Sequence, residues 1–329
     1  MVIALPSLWP QVRSNNRGNG VAIARLAVVD RVLTDNAADT VRGIGLVALA
    51  YLVLSVGDAA AKWAILSSGV AWVLLWRGVF GAAAVLAVTA TRTNDGGWRR
   101  LAPVRWKMVL LRAVLSSFTS TAWYLSWRQM QLADTYALGF TAPLIMTLLA
   151  IPMLQERIRW RRMLSTLMGF SGVLIMLRPS GGLWTPALPL LMAGIVSMAV
   201  TRIMARQLSR TETPECQAFW LMVSHAVAGL LLLAVYPPGV TATAAVWMTL
   251  AGLGISSGLA HCVFTFAYGL APVSALAPYE YTMMIWGGAA GFLVFGEVPS
   301  WTTLAGAAIV AAAGLYNLHR ERVRRNAER

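Results

Sequence analysis

Charge is what this 329-residue chain has least of. Asp, Glu, Lys and Arg make up only 12% of it, where a soluble domain carries roughly 25%. Apolar residues reach 58% and the mean hydropathy is +0.64, which excludes an ordinary soluble fold and points to a polytopic membrane protein. There are two cysteines, Cys216 and Cys262, with no CxxC and no metal-ligand spacing, so they read as small packing residues. The three histidines (His225, His261, His319) are scattered and form no His/Asp cluster at one interface, as a lipid-acting membrane enzyme would need. A GxxxxGK[ST] phosphate loop is missing, which argues against ATP-driven pumping. The tails are too short to hold the soluble domain of a receptor. No catalytic residue, cofactor or metal is therefore expected. A secretory signal is also missing: the one apolar piece of residues 1–42, Val21 to Leu33, is broken by Arg25, Asp30 and Arg31. That tail reads as loose cytoplasmic chain or a short amphipathic surface helix.

What is present is a succession of ten apolar segments, long enough as helices to cross the ~30 Å of a bilayer's hydrocarbon core. They run at about Gly43–Ile65, Val70–Thr91, Met108–Trp127, Leu132–Leu154, Met163–Leu177, Trp184–Met204, Glu215–Tyr236, Ala245–Leu270, Val273–Phe295 and Trp301–Leu318. The formal charge of +14 is not gathered into a nucleic-acid patch, so no nucleic acid is expected as a partner. Of the 27 Lys and Arg, 21 lie in the two tails and the even-numbered loops and 2 in the odd-numbered loops. By the positive-inside rule both termini are cytoplasmic.

The chain is organised around Gln131 to Pro179, two apolar runs joined by a turn holding Glu156, Arg157, Arg159, Arg161 and Arg162. Val273 to Tyr316 repeats the unit: setting Glu156 on Glu297 also sets Trp160 on Trp301 and brings Gly172 within one residue of Gly314. This points to a duplication. Five crossings per half is an odd number, so the second half enters the membrane from the opposite side. Such inverted repeats place a substrate site near the midplane. The expected fold is all-α and integral to the membrane, ten helices in two inverted five-helix repeats around a central cavity. Its expected divisions are a cytoplasmic tail (1–42), the repeats (43–178 and 179–319) and a basic cytoplasmic tail (320–329).

The QERIRWRR turn after FTAPL, the following GFSGVLIMLRP and the later FGEVPSWTTLAGAAIVAAAGLY resemble the drug/metabolite transporter superfamily, in its EamA-type ten-helix branch. The resemblance covers residues 43 to 319. It implies two inverted bundles around a cavity and alternating access in a bacterial inner membrane, with the bilayer and a small-molecule substrate as partners. A monomer is the unit expected. Export of small metabolites, amino acids first among them, is the function it implies. Uptake or exchange of S-adenosylmethionine, a nucleoside or a sugar is the alternative.

Polar residues inside the segments are the candidates for function, since each costs about 2.5–3.5 kcal/mol at a helix centre on insertion scales. Asp58 and Lys62 are four apart and so share a helix face, either pairing with each other or serving substrate or coupling. Lys62, near the outer end, can also snorkel. Arg77 lies roughly 10 Å deep in the second segment and calls for either a structural ion pair or a substrate carboxylate. Arg112 and Arg202, near cytoplasmic ends, read as snorkelling. His225 and His261 are either satisfied buried histidines or coupling groups. Glu280 stands between Tyr279 and Tyr281, beside Pro278, which lacks an N–H and loosens the helix. Broken helices at cavity depth are where transporters bind substrate, so Glu280 either lines the cavity or pairs structurally, with Arg77 or His261. Pro143 gives the same loosening beside Tyr136, Phe140 and Thr141. Trp123 and Tyr124 complete the candidates, among serines and threonines that either allow close helix packing or line a pore. Trp72, Trp76, Trp127, Trp184, Trp247 and Trp301 read as interface anchors, and Glu156 and Glu297 as caps of neighbouring helix N-termini.

Overall fold

The computed structural model describes residues 37–91, 97–142, 144–146, 148–149, 160–177, 184–235, 243–270, 276, 279 and 282–327. These hold ten main α-helices: α1 (Ala37–Ser68), α2 (Val70–Ala90), α3 (Trp106–Ser126), α4 (Leu132–Gly139), α5 (Trp160–Met176), α6 (Leu188–Leu208), α7 (Pro214–Leu233), α8 (Ala244–Leu270), α9 (Thr282–Phe295) and α10 (Trp301–Ala327). By length and composition, α2, α6, α7, α8 and the Val41–Ser68 part of α1 can each cross a membrane. Leu49, Leu66, Leu230, Leu231 and Leu293 stand exposed on the outside of the bundle, the arrangement lipid favours.

Two boundaries differ from expectation. The apolar run predicts one helix from Leu132 to Leu154, but α4 closes at Gly139 and the chain turns through Phe140 and Thr141. The amide of Thr141 bonds the Leu138 carbonyl oxygen at 3.0 Å, a tightened turn. Proline 143 has no N–H to offer the Gly139 carbonyl; its own placement lies outside the described residues, as does that of Glu156. At the other end of the chain, α10 runs on to Ala327 through the basic stretch expected as a tail. Arg, Glu and Ala there are good helix formers, and nothing in 319–327 breaks the helix.

Helix starts follow local chemistry. Thr213 caps α7 by accepting the Cys216 amide at 3.1 Å, with Pro214 in the first turn, where its missing N–H costs nothing. A second set of caps comes from distant acids. The carboxylate of Glu212 accepts the amides of Val104 and Arg105 (3.0 and 2.7 Å) just ahead of α3, and Arg100 pairs with Glu215. These contacts fasten residues 97–105 to the start of α7.

The main helix contacts are α2 on α7, α5 on α10, α3 on α6, and α8 on both α1 and α2; α9 lies on α1 and α4, and α3 also touches α7. The α2–α7 crossing is backbone on backbone. A methyl group at Gly78 would meet the main chain of Ala226 and Met222, and one at Gly229 the main chain of Leu75 and Ala71. Small residues allow this approach.

Helix α3 is inside-out. Leu110, Leu111, Val114 and Phe118 are exposed, while Arg112, Ser116 and Ser117 are buried. Polar groups turned inward and apolar groups outward suit a helix between lipid and a polar interior.

Candidate functional site

That polar interior is a cavity of about 170 Å³. Helix α3 supplies the longest wall, a stripe of Arg112, Ser116, Thr119, Ser120, Trp123 and Trp127. Their spacing of three or four residues sets them on one helix face. Opposite stand Asp58 from α1, Arg77 from α2, Tyr136 and Phe140 from the α4 region, His225 from α7 and His261 from α8.

Asp58 does not pair with Lys62. Its carboxylate accepts the Tyr136 hydroxyl at 2.7 Å, and the Tyr136 ring packs 5.7 Å from that of Trp123. Arg77 makes no ion pair among the described residues. Its Nε–H donates to the Ser257 hydroxyl at 3.1 Å and its guanidinium lies over the Tyr124 ring at 5.6 Å, a cation–π contact. Arg77 is 5% exposed. Asp58 and Arg77 thus face one chamber as opposite charges, with Trp123, Tyr124, Tyr136 and Phe140 as its aromatic walls.

His225 is fixed by two bonds, Nδ1 to the Leu221 carbonyl oxygen at 2.6 Å and Nε2 to the Ser120 hydroxyl at 2.7 Å. A carbonyl only accepts, so Nδ1 carries the proton; in the neutral ring Nε2 then accepts from Ser120. His261 meets the Phe264 ring edge-on. Among the described residues, no group of His, Cys, Asp and Glu is arranged to hold a metal.

Lys62 lies outside the cavity lining. It is 5% exposed, and so does not snorkel; it pairs with Glu297 and donates to the Met130 carbonyl oxygen at 2.9 Å. Glu297 is placed by Gly296, whose φ of 66° turns the chain at the end of α9. Its other carboxylate oxygen accepts the Leu132 amide at 2.9 Å, at the start of α4. The cap expected of Glu297 is present, together with an ion pair nothing local announces. Thr303 donates to Asp134 at 2.7 Å and Trp127 Nε1–H to Thr135 at 3.0 Å. These bonds tie α1, α4 and α10 together at the end of the bundle where α3 stops.

Of the remaining candidates, Thr141 is fully buried with its hydroxyl on the Leu138 carbonyl, away from the cavity. Tyr279 packs against the cluster of Val47, Tyr51, Phe264 and Tyr268. Glu280, Tyr281, Pro143 and Pro278 lie outside the described residues. The hydroxyl-rich stretch of α3 divides: Ser116, Thr119 and Ser120 line the cavity, while Ser117 bonds Ser224 between helices. One tryptophan expected at the interface, Trp127, is instead buried inside the bundle, while the half-buried Trp76 meets Trp72 and Trp247 edge-on.

Arg112 and Arg202 are corrections. Read from the sequence as snorkelling, both are buried and line the cavity. Arg112 Nε–H reaches the Thr201 carbonyl oxygen at 3.4 Å, and an Arg202 amino group lies 3.4 Å from the Met198 sulfur. Depth along a helix suggested snorkelling; the face decides otherwise. The signal was available in the run of polar residues three or four apart beginning at Arg112.

An all-helical bundle with apolar outer faces around an internal chamber lined by groups of both charges is the architecture of a polytopic membrane protein. The EamA-like transporter family matches the chain twice, over residues 41–178 and 185–317. The chain belongs to that family and is a transporter of small metabolites. It is 27% identical over 213 residues to the S-adenosylmethionine uptake transporter of Rickettsia bellii, covering 65% of this chain and 72% of the relative. It is 26% identical over 276 residues to the riboflavin transporter of Brucella anthropi (80% and 94%), and 31% identical over 240 residues to that of Rhizobium johnstonii (72% and 74%). A crystal structure superposes with a TM-score of 0.61 at 18% identity, over 88% of this chain and 99% of the other, which is a likeness of fold.

Proposed function

We propose that the protein is a secondary transporter working by alternating access, in which two inverted five-helix repeats (43–178 and 179–319) enclose the cavity between them. The packing supports this: advancing every helix by five turns α1–α8 into α6–α3 and returns α2–α7, α4–α9 and α5–α10 to themselves. A pseudo-two-fold axis in the membrane plane gives that pattern. The Lys and Arg distribution supports a bacterial inner-membrane protein with both ends in the cytoplasm.

The observation that carries the substrate reading is Asp58 and Arg77, opposite charges left without a mutual ion pair in a chamber walled by aromatic rings. That set suits the ammonium and carboxylate of an amino acid, with its side-chain ring against Trp123 and Tyr136. Transport of aromatic-type amino acids, outward as the family resemblance implies, is the first reading. A second is uptake of S-adenosylmethionine, favoured by the relatives named for it: that solute joins an amino-acid end to a flat ring, and so uses the same two features.

Counterflow in proteoliposomes tests both, with radiolabelled tryptophan, phenylalanine, S-adenosylmethionine, riboflavin and adenosine. Exchange of solutes bearing an amino-acid end is expected. Exchange confined to riboflavin or adenosine would overturn the role given to Asp58 and Arg77. Right-side-out and inside-out vesicles separate export from uptake.

A further inference from the structure

We infer that Arg112 forms a second carboxylate-binding station in the cavity, one that an anionic group meets before it reaches Arg77. The assignment rests on the reading of the cavity as a solute path. Arg112 is 6% exposed, and its single hydrogen bond among the described residues is from Nε–H to the Thr201 carbonyl oxygen. The two terminal amino groups of the guanidinium make no hydrogen bond or ion pair there, although the side chain lines the cavity. A guanidinium does not give up its proton in a protein. Buried in the bundle with no counter-charge among the described residues, it calls for an anion from the cavity.

Position along the chamber makes this a separate station. Tyr124, over whose ring Arg77 lies, is twelve residues beyond Arg112 on α3. Twelve residues of helix span roughly 18 Å. Arg112 is thus near the arginine-rich end, which the charge count assigns to the cytoplasm, and Arg77 is deep, on the Asp58 side. Ser116, one turn past Arg112, and Thr201 on α6 stand on the same wall. Hydroxyl groups beside a fork of N–H donors are the chemistry that holds a carboxylate. Elsewhere at this end the half-buried Arg100 pairs with Glu215, whereas Arg112 has no such partner among the described residues.

The test uses the purified full chain in detergent at constant ionic strength. The thermal midpoint is followed against indole-3-acetate, against its uncharged analogue indole-3-acetamide, and against inorganic phosphate. The carboxylate is expected to stabilise the unaltered protein with an apparent dissociation constant about tenfold lower than the amide, the scale of one charge-assisted hydrogen-bonded contact. Arg112→Gln should erase most of that preference, and Arg112→Lys should keep part of it. Arg112→Lys also keeps the test decisive if the Gln variant fails to fold.

A titration of Arg112→Gln that superimposes on the unaltered protein overturns the station. So does equal stabilisation by acid and amide, or a stronger response to phosphate than to indole-3-acetate. The two proposals fail separately. Loss of counterflow with the carboxylate preference intact sinks the transported-solute reading alone, whereas counterflow of amino acids with no effect of Arg112→Gln sinks the station alone.

Discussion

Lys62 and Arg77 are both cations buried within the bundle, 5% exposed each, and they meet opposite fates. Lys62 is neutralised by Glu297, held by the Met130 carbonyl, and joined through Glu297 to the first amide of α4. Arg77 has a serine, an aromatic face and open cavity. A buried charge with its partner and hydrogen bonds complete is structure. One left open toward a chamber is, under the function proposed above, available to a transported solute. The comparison separates the end of the bundle where α1, α4 and α10 are tied together from the polar chamber inside it.

The largest effect expected from breaking this contrast is at the tied end. Lys62→Met strands the Glu297 carboxylate, and removing one partner of a buried pair typically costs about 3–5 kcal/mol. Thermal or denaturant unfolding in detergent should show that loss. Lys62→Met with Glu297→Gln should recover most of it, since the amide oxygen of Gln still caps Leu132. A single variant as stable as the parent would end the claim that this pair is structural.

Arg77→Gln should behave in the opposite sense. Removing a buried charge that has no ion pair among the described residues relieves a desolvation penalty, so stability is unchanged or rises. Transport should fall by at least about tenfold, the loss of one charge-assisted contact. Equal losses of stability in Lys62→Met and Arg77→Gln would erase the distinction.

Why some of this was legible in the sequence and some not follows from range. The apolar segments, the Glu297 cap and the weak point ahead of Pro143 are local signals, and composition, spacing and a missing N–H suffice to find them. Asp58 and Lys62, placed four apart, looked like partners. Each instead finds a more distant one, 78 residues away in Tyr136 and 235 away in Glu297. Tertiary packing chose them, and no local rule weighs it. Arg112 shows another limit: depth along the helix predicts snorkelling, whereas burial depends on azimuth. The membrane inverts the usual pattern, so on α3 the apolar face marks the outside and the polar stripe marks the site.

The smallest predicted effect sharpens the comparison at the Asp58 pole. In Tyr136→Phe the ring stays: it packs against Trp123, and a methyl group at Gly287 would run into it. The substitution removes only the hydroxyl that donates to Asp58. Because that carboxylate lines the cavity, water can replace the lost donor, and stability should fall by about 0.5–1.5 kcal/mol, the usual net worth of one hydrogen bond. Without the hydroxyl the carboxylate is free to rotate, and half-saturation for an ammonium-bearing solute should rise a few-fold at unchanged maximal rate. Asp58→Ala provides the check. If Tyr136 acts only by aiming Asp58, adding Tyr136→Phe to Asp58→Ala should change transport no further, since the two share one interaction. A full additional loss in the double variant would show that the Tyr136 hydroxyl touches the solute itself, and would move Tyr136 from the positioning of the site into the site.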